Sequence, residues 1–260
     1  YPLNKGESYY AKAAVEFKAV TENASLSLVP SYVQLFNSDR KNSSEAIIEI
    51  QFQSSQTNRT GNAFQSKMLS NSAAAALVPA GDAGTGDNKP TATLLSSYAP
   101  GDPRKSVTFR PGYKEASGNY KGEAYGHKYW QKLGEEKANV DAYTNWTCNW
   151  KELRLAEVYL LYAEALVRSN GDKSVALTYL NKIRERARNT SKLEDPTIAV
   201  IEAQFPDWND GDPSVSLRDY VAADFTSDAD LLLAIENESR SEFALENKRW
   251  YDLVRTQRAS

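Results

Sequence analysis

Residues 150–169, WKELRLAEVYLLYAEALVRS, constrain the fold more than any other stretch. Read as a helix, they are apolar nearly all the way round, and such a helix must be buried on most sides. The polar positions Arg154, Glu157, Glu164 and Arg168 are spaced by three, seven and four, which puts them on one face. Asn170, Gly171 and Asp172 supply a stop and a turn. A second helix is expected over residues 174–188, with Ala176, Leu180, Ile183 and Ala187 along one stripe. A lone helical hairpin cannot bury its own faces, so other parts of the chain must cover it.

Three further segments carry a regular pattern. Residues 8–21 repeat apolar positions at helical spacing (Tyr10, Ala13, Ala14, Phe17, Val20), with Ser8 as a candidate cap. Residues 44–52 read as a strand in which Ile48, Ile50 and Phe52 alternate with Glu49 and Gln51. Residues 230–255 read as one last helix, with Phe243, Trp250 and Val254 on a common face. On that helix Glu238, Glu242 and Glu246 stack at intervals of four, with Arg249 next in line and Asp252 in the triplet that follows. Three like charges on one face repel, so cations must come from elsewhere, and Arg154, Arg168, Arg184, Arg186 and Arg188 are candidates. An ion-pair network between helices is the expected role of this tail, with Trp250 and Asp252 as part of the clamp.

Between these elements the chain is polar and rich in turns. Residues 98–150 hold nine of its twenty Tyr and Trp side chains and six glycines, at spacings that fit neither a helix nor a clean strand. Aromatic rings in such loops suit a stacking surface, and Tyr113, Tyr120, Tyr125, Tyr129 and Trp130 are the expected platform, with Lys128 and Gln131 as hydrogen-bonding partners. Trp146 and Trp150, next to the buried helix, are expected in the core, and the Gly101–Arg104 stretch is expected to be a structural turn.

Several chemistries are excluded. The net charge of −3 gives no field for nucleic acid or an anionic membrane surface. One cysteine, Cys148, permits no internal disulfide and reads as a buried or idle thiol. One histidine, His127, cannot build a multi-histidine metal site. No run approaches 18 apolar residues. The stretch from Gly81 to Gly86 has the spacing of a phosphate loop, but Asp87 stands where lysine belongs. Residues 207–212 faintly resemble a calcium loop, yet Gly211 occupies a ligand position and no glutamate closes it, so a turn is expected. Glu157 and Glu164, seven residues apart, are about 10 Å apart along a helix axis, outside both glycosidase geometries. Arg154 and Arg168, three and four residues away on the helix, are expected to lower their pKa values. No cofactor is expected.

The helix pair, roughly 34 residues long, resembles one tetratricopeptide repeat. The stretches LRLAEVYLLYAEALVRSNG (residues 153–171), ALTYLNKIRERA (176–187) and ESRSEFALENKRWYDLVR (238–255) resemble the SusD/RagB family of surface nutrient-binding lipoproteins. SSEAIIEIQF (43–52) and KPTATLLSSYAPGDPRKSVTF (89–109) are similar to the family's middle region. Ser239 and Leu245 stand where the family usually has arginine and phenylalanine, and full members are much longer. The chain is therefore expected to be the C-terminal portion of such a protein. Residues 53–150 would form a loop-rich ligand-binding lobe, 150–190 the repeat-like pair and 230–256 the C-terminal helix. The resemblance implies a mainly α, tetratricopeptide-like superhelical scaffold with a few short strands. It also implies no enzymatic activity, an outer-membrane surface location, an oligosaccharide ligand and a SusC-like TonB-dependent transporter as partner. The residues by themselves leave open a repeat scaffold that binds a protein or peptide, and less readily a glycoside hydrolase.

Overall fold

A computed structural model describes residues 7–53, 60–78, 84–130, 133–137 and 145–258. In chain order the elements are α1 (Glu7–Thr21), α2 (Tyr32–Leu35), β1 (Ala46–Ile50), α3 (Phe64–Met68), α4 (Asn71–Leu77), α5 (Ala92–Leu95), α6 (Pro103–Thr108), β2 (Phe109–Lys114), β3 (Tyr120–Gly126), β4 (Trp150–Arg154), α7 (Leu155–Arg168), α8 (Lys173–Asn189), α9 (Pro196–Glu202), α10 (Pro213–Ser216), α11 (Asp228–Glu242) and α12 (Arg249–Arg255). The architecture is mainly α, a tetratricopeptide-like helical layer joined to a loop-rich lobe with two small antiparallel sheets, β1–β4 and β2–β3.

The helical layer centres on α7, as its all-round apolar character requires. α8 packs on one side, with Ala176, Leu180, Ile183 and Ala187 fully buried, while α1 and α11 cover other sides. The turn between α7 and α8 is a Schellman motif. Asn170 takes a positive φ of 53°, its N–H donates to Val167 O (3.3 Å), and the Gly171 N–H donates to Leu166 O (2.8 Å). Asp172 then caps α8 by accepting from the Ser174 N–H at 2.8 Å. In α1, Ala14 joins this core with Tyr10, Ala13, Phe17 and Val20 against it. Ser8 lies inside the first turn of α1 rather than ahead of it.

Two expected helices differ in extent. Residues 150–154 form strand β4, not the first turn of α7, because pairing with β1 satisfies their backbone. Ile50 faces Trp150, Glu49 faces Lys151 and Ile48 faces Leu153. In β1 the expected alternation is present with charges inward. Ile48 and Ile50 are 52% and 48% exposed, whereas Glu45 is buried against Arg154 and Arg186 and Glu49 against Lys151 (3.0 Å). The helix expected over 230–255 breaks after Glu242. Leu245 and Asn247 adopt φ of 66° and 57°, a left-handed conformation that no helix continues through, and the chain resumes as α12.

Short helices also occupy the polar regions. Asp102–Pro103 and Asp195–Pro196 each place an aspartate cap and an N1 proline at the start of α6 and α9. Residues 206–208 form a single 3₁₀ turn, and Asp212 caps α10. The 207–212 stretch is thus a turn whose last carboxylate is used locally.

Candidate functional site

Two polar features stand out, one where the helical layer meets the lobe and one at the edge of the lobe. The first is a buried ion cluster at the end of α11. Glu238, Glu242 and Glu246 do stand together, although the chain leaves the helix before Glu246. Arg154 donates to Glu242 (2.6 Å), Glu45 (2.8 Å) and both oxygens of Glu246 (2.8 Å each). Arg186 reaches Glu45 (3.1 Å) and Glu242, and Arg184 reaches Glu238 (3.0 Å). Two cations were not anticipated. Arg104 bridges Asp102 (2.7 Å), Glu238 (2.6 Å) and Glu242 (3.2 Å). Lys128 donates to Glu246 (2.6 Å) and to the carbonyls of Glu242 (3.0 Å) and Ala244 (2.7 Å). Five cations (Arg104, Lys128, Arg154, Arg184, Arg186) thus face five carboxylates (Glu45, Asp102, Glu238, Glu242, Glu246), and all ten are buried.

Burial alone would raise the Glu242 carboxyl, but Arg186, Arg154 and Arg104 hold it far below the ordinary range. Glu246 is lowered in the same way by Arg154 and Lys128. Burial pushes Lys128 down to about 8 against the pull of Glu246. A buried charge is tolerated only when paired, and here every member has a partner. This is a structural cluster, and it removes Lys128 from the expected ligand partners.

The other expected members pair elsewhere. Arg168 and Arg255 hold Glu164 (2.6 Å each), and its carboxyl is lowered despite burial. Glu157 meets Lys248 (3.1 Å), since Arg154 belongs to β4, and burial raises its pKa, opposite to expectation. Arg188 pairs with Asp219 (2.6 Å), Arg249 with Glu236 (2.7 Å) and Asp252 with Arg255 (2.8 Å). Trp250 is 62% exposed and clamps nothing.

The second feature is a cleft of about 310 Å³ beside the β2–β3 hairpin, lined in part by Tyr113, Lys114, Tyr120, Tyr125, His127, Glu135 and Ile201. The hairpin register sets Lys114 opposite Tyr120 and Tyr113 opposite Lys121. At Gly112 a Cβ would lie 2.2 Å from the Lys121 carbonyl and 2.6 Å from the Phe205 ring, so only glycine lets the segment after α9 lie this close. Arg110, bonded to Asp195 (2.6 Å) and Thr197 (3.2 Å), ties the hairpin to the start of α9.

The aromatic side chains divide between cleft and core. Tyr113 and Tyr125 are buried with one edge on the cleft, and their rings meet edge-on at 6.5 Å. Tyr120 is half-buried, with Lys114 Nζ 5.9 Å from its ring centre. Tyr129 and Trp130 are not platform residues. Trp130 lies in the lobe core between His127 (stacked, 4.6 Å) and Trp146 (5.3 Å), and Tyr129 stacks on Trp150 at 5.3 Å. Trp146 is core as expected but within the lobe, and Trp150 is half-buried. Gln131 lies outside the described residues.

His127 is held neutral by burial and by Arg110. Burial raises the Cys148 thiol to about 12, which makes it unreactive. Glu135 Oε2 has no hydrogen-bond partner among the described residues. The cleft therefore offers ring edges and ammonium groups, a set suited to holding a polyhydroxylated molecule. Among the described residues, no cluster of three His, Cys, Asp or Glu could hold a metal, and no helix is long and apolar enough to cross a membrane.

The model of the SusD family matches residues 104–260. A SusD-like protein of Bacteroides ovatus is 26% identical over 249 residues, covering 90% of this chain and 38% of that protein. SusD-like protein P2 of Formosa agariphila is 33% identical over 107 residues, 41% of this chain and 17% of its own length. Among solved structures, a SusD superfamily protein from Parabacteroides distasonis aligns with 98% of this chain and 48% of its own at a TM-score of 0.72 and 22% identity. Surface glycan-binding protein A from Bacteroides thetaiotaomicron, in complex with laminarihexaose, covers 97% of this chain and 51% of its own, with a TM-score of 0.64 and 20% identity. This chain thus spans under two fifths of those curated relatives and about half of those solved chains, and, with more than half its residues matched by the family model, it belongs to the SusD family.

Proposed function

We propose that this protein is a non-catalytic binder of oligosaccharides at the bacterial cell surface, and that the cleft beside the β2–β3 hairpin takes part in holding the sugar. The observation that carries this reading is the convergence of Tyr113, Tyr120 and Tyr125 on one cavity at the edge of the lobe. At about 310 Å³ the cavity falls at the lower end of the roughly 300–1,000 Å³ of small-molecule sites, room for a few sugar units rather than a long chain. Tyr120 offers its ring to the CH face of a sugar, while Lys114 reaches hydroxyls.

Family membership supports the same reading. One structural neighbour is called a surface glycan-binding protein and was solved with laminarihexaose. Uptake through a SusC-like TonB-dependent transporter, and attachment to the outer membrane as a lipoprotein, complete the proposal on the strength of the family. The use of these carboxylates supports the non-catalytic reading: Glu238, Glu242 and Glu246 are sealed in the ion cluster, and Glu164 is held between two arginines.

Calorimetric titration with laminarihexaose and a panel of other oligosaccharides tests this. At least one sugar is expected to bind, and Tyr120→Ala to weaken it roughly tenfold or more with thermal stability unchanged. A panel without binding, or binding indifferent to Tyr120, refutes the site. Steady release of reducing ends refutes the non-catalytic assignment.

A further inference from the structure

Two polar groups on the deep side of the hairpin cleft have no use inside the fold. Tyr125 and His127 stand two residues apart where β3 ends, which sets them on one face of an extended chain. They are 4% and 6% exposed, yet both line the cleft. Their ring centres are 6.1 Å apart. The His127 ring is fixed by its stack on Trp130, with 16° between the planes, and the His127 main-chain N–H donates to Thr108 O at 2.7 Å. The β2–β3 register sets Tyr125 opposite Arg110.

Other buried tyrosines spend their hydroxyls within the protein. Tyr32 donates to Glu242 O (2.7 Å), Tyr98 to Ser241 O (3.0 Å) and Tyr113 to Glu123 (3.3 Å). Among the described residues, neither the Tyr125 hydroxyl nor the His127 ring nitrogens have a hydrogen-bond partner. Nor are these atoms sealed in the interior, as the unpaired Tyr129 hydroxyl is. Unpaired polar groups at such depth are costly, so two of them opening on one cavity point to an occupant that hydrogen-bonds.

The surroundings narrow the chemistry of that occupant. Arg110 also lines the cleft, but Asp195 (2.6 Å) and Thr197 (3.2 Å) hold one of its terminal nitrogens and Ser106 O the other. Its charge is therefore met within the protein. The lining as a whole balances, with Arg110, Lys114 and Lys137 against Glu115, Glu135 and Glu136. Burial and the Arg110 charge keep the imidazole neutral, so one of its nitrogens donates and the other accepts, as a phenol hydroxyl does both. Two uncharged groups of this kind complement hydroxyls, which also give and take hydrogen bonds. A carboxylate or sulfate only accepts, and would meet no free cation at that depth.

We propose that Tyr125 and His127 form the floor of the sugar site and hydrogen-bond the hydroxyls of one uncharged sugar unit. The inference rests on the assignment of the cleft to oligosaccharide, and it adds the residues that grip the deepest unit and the charge class of that unit.

The chain has a single histidine, so isotope-labelled histidine gives one imidazole in nitrogen NMR. Laminarihexaose and an oligogalacturonate of equal length are titrated alongside the wider panel. A neutral sugar is expected to bind and to shift at least one ring nitrogen of His127. Tyr125→Phe and His127→Phe keep the rings and remove the hydrogen-bonding atoms, and each is expected to weaken binding roughly tenfold. Tyr125→Phe deletes one unpaired atom, so its thermal midpoint is expected to stay level or rise. A lowered midpoint there would place the hydroxyl in a bond within the protein and overturn the proposal. Binding that depends on Tyr120 but ignores both variants and leaves the imidazole signal unmoved overturns it too, while the sugar site stands. Preference for the oligogalacturonate overturns it by reversing the charge class. Binding to no sugar, or binding indifferent to Tyr120, removes the sugar site itself and this floor with it.

Discussion

The end of α11 and the start of α12 lie a few residues apart in one charged stretch, yet their environments are opposite. Glu238, Glu242 and Glu246 are among the most buried carboxylates of the molecule, while Trp250, the largest apolar side chain nearby, is exposed. Hydrophobicity alone predicts the reverse. The difference lies in partners. Five cations converge on α11 from β4, α6, α8 and the loop after β3, and each reaches a carboxylate within 3.1 Å. α12 is held by ion pairs to Glu164 of α7 and Glu236 of α11, and none of its residues is buried. Burial here follows completeness of ion pairing rather than hydrophobicity.

The contrast can be broken first at Arg154. Arg154→Met leaves Glu45, Glu242 and Glu246 short of their shared cation and is expected to cost about 3–5 kcal/mol in urea denaturation; a loss below about 1 kcal/mol would show the cluster to be ornamental. Acid should separate the two regions next. The folded-state pKa values of Glu242, Glu246 and Glu164 lie below the ordinary 4.5. Each therefore contributes stability that is fully present above about pH 4.5 and declines as pH falls through the folded values. The thermal midpoint followed by circular dichroism should drop steadily below pH 4.5, and a flat profile to pH 3 would contradict the assignment. The break between the helices is a smaller lever. Asn247 at φ 57° favours a residue that tolerates the left-handed region, so Asn247→Ala should cost about 1 kcal/mol and Asn247→Gly almost nothing. Trp250→Ala should change stability least, within about 0.5 kcal/mol, while shifting tryptophan fluorescence by removing an exposed emitter.

Much of the helical layer was legible because its information is local. The spacing of Ala176, Leu180, Ile183 and Ala187, the Asn170–Gly171 stop and the α1 stripe each read correctly within a few turns. The need of the tail carboxylates for arginines was legible too, since like charges at intervals of four repel. Arg154, Arg184 and Arg186 were among the candidates, but Arg104 and Lys128 were not, because Arg104 and Glu238 are 134 residues apart and Lys128 and Glu246 are 118 apart. Strand β4 was missed because WKELR fits a helix as well as a strand until β1 is beside it. Among the aromatic side chains, composition could not divide Tyr120, half-buried beside the cleft, from Tyr129 and Trp130, which are buried. The sequence offers no cue for that division, since it depends on which rings the β2–β3 hairpin turns inward.

A double-mutant cycle between Arg154 and Glu242 tests the ion cluster most directly. With Arg154→Met, Glu242→Gln and the pair measured by equilibrium denaturation, a coupling of about 2 kcal/mol or more is expected for a fully enclosed contact of this kind. A coupling near zero would mean that the two charges do not meet inside the protein, and that the end of α11 is not what joins the helical layer to the lobe.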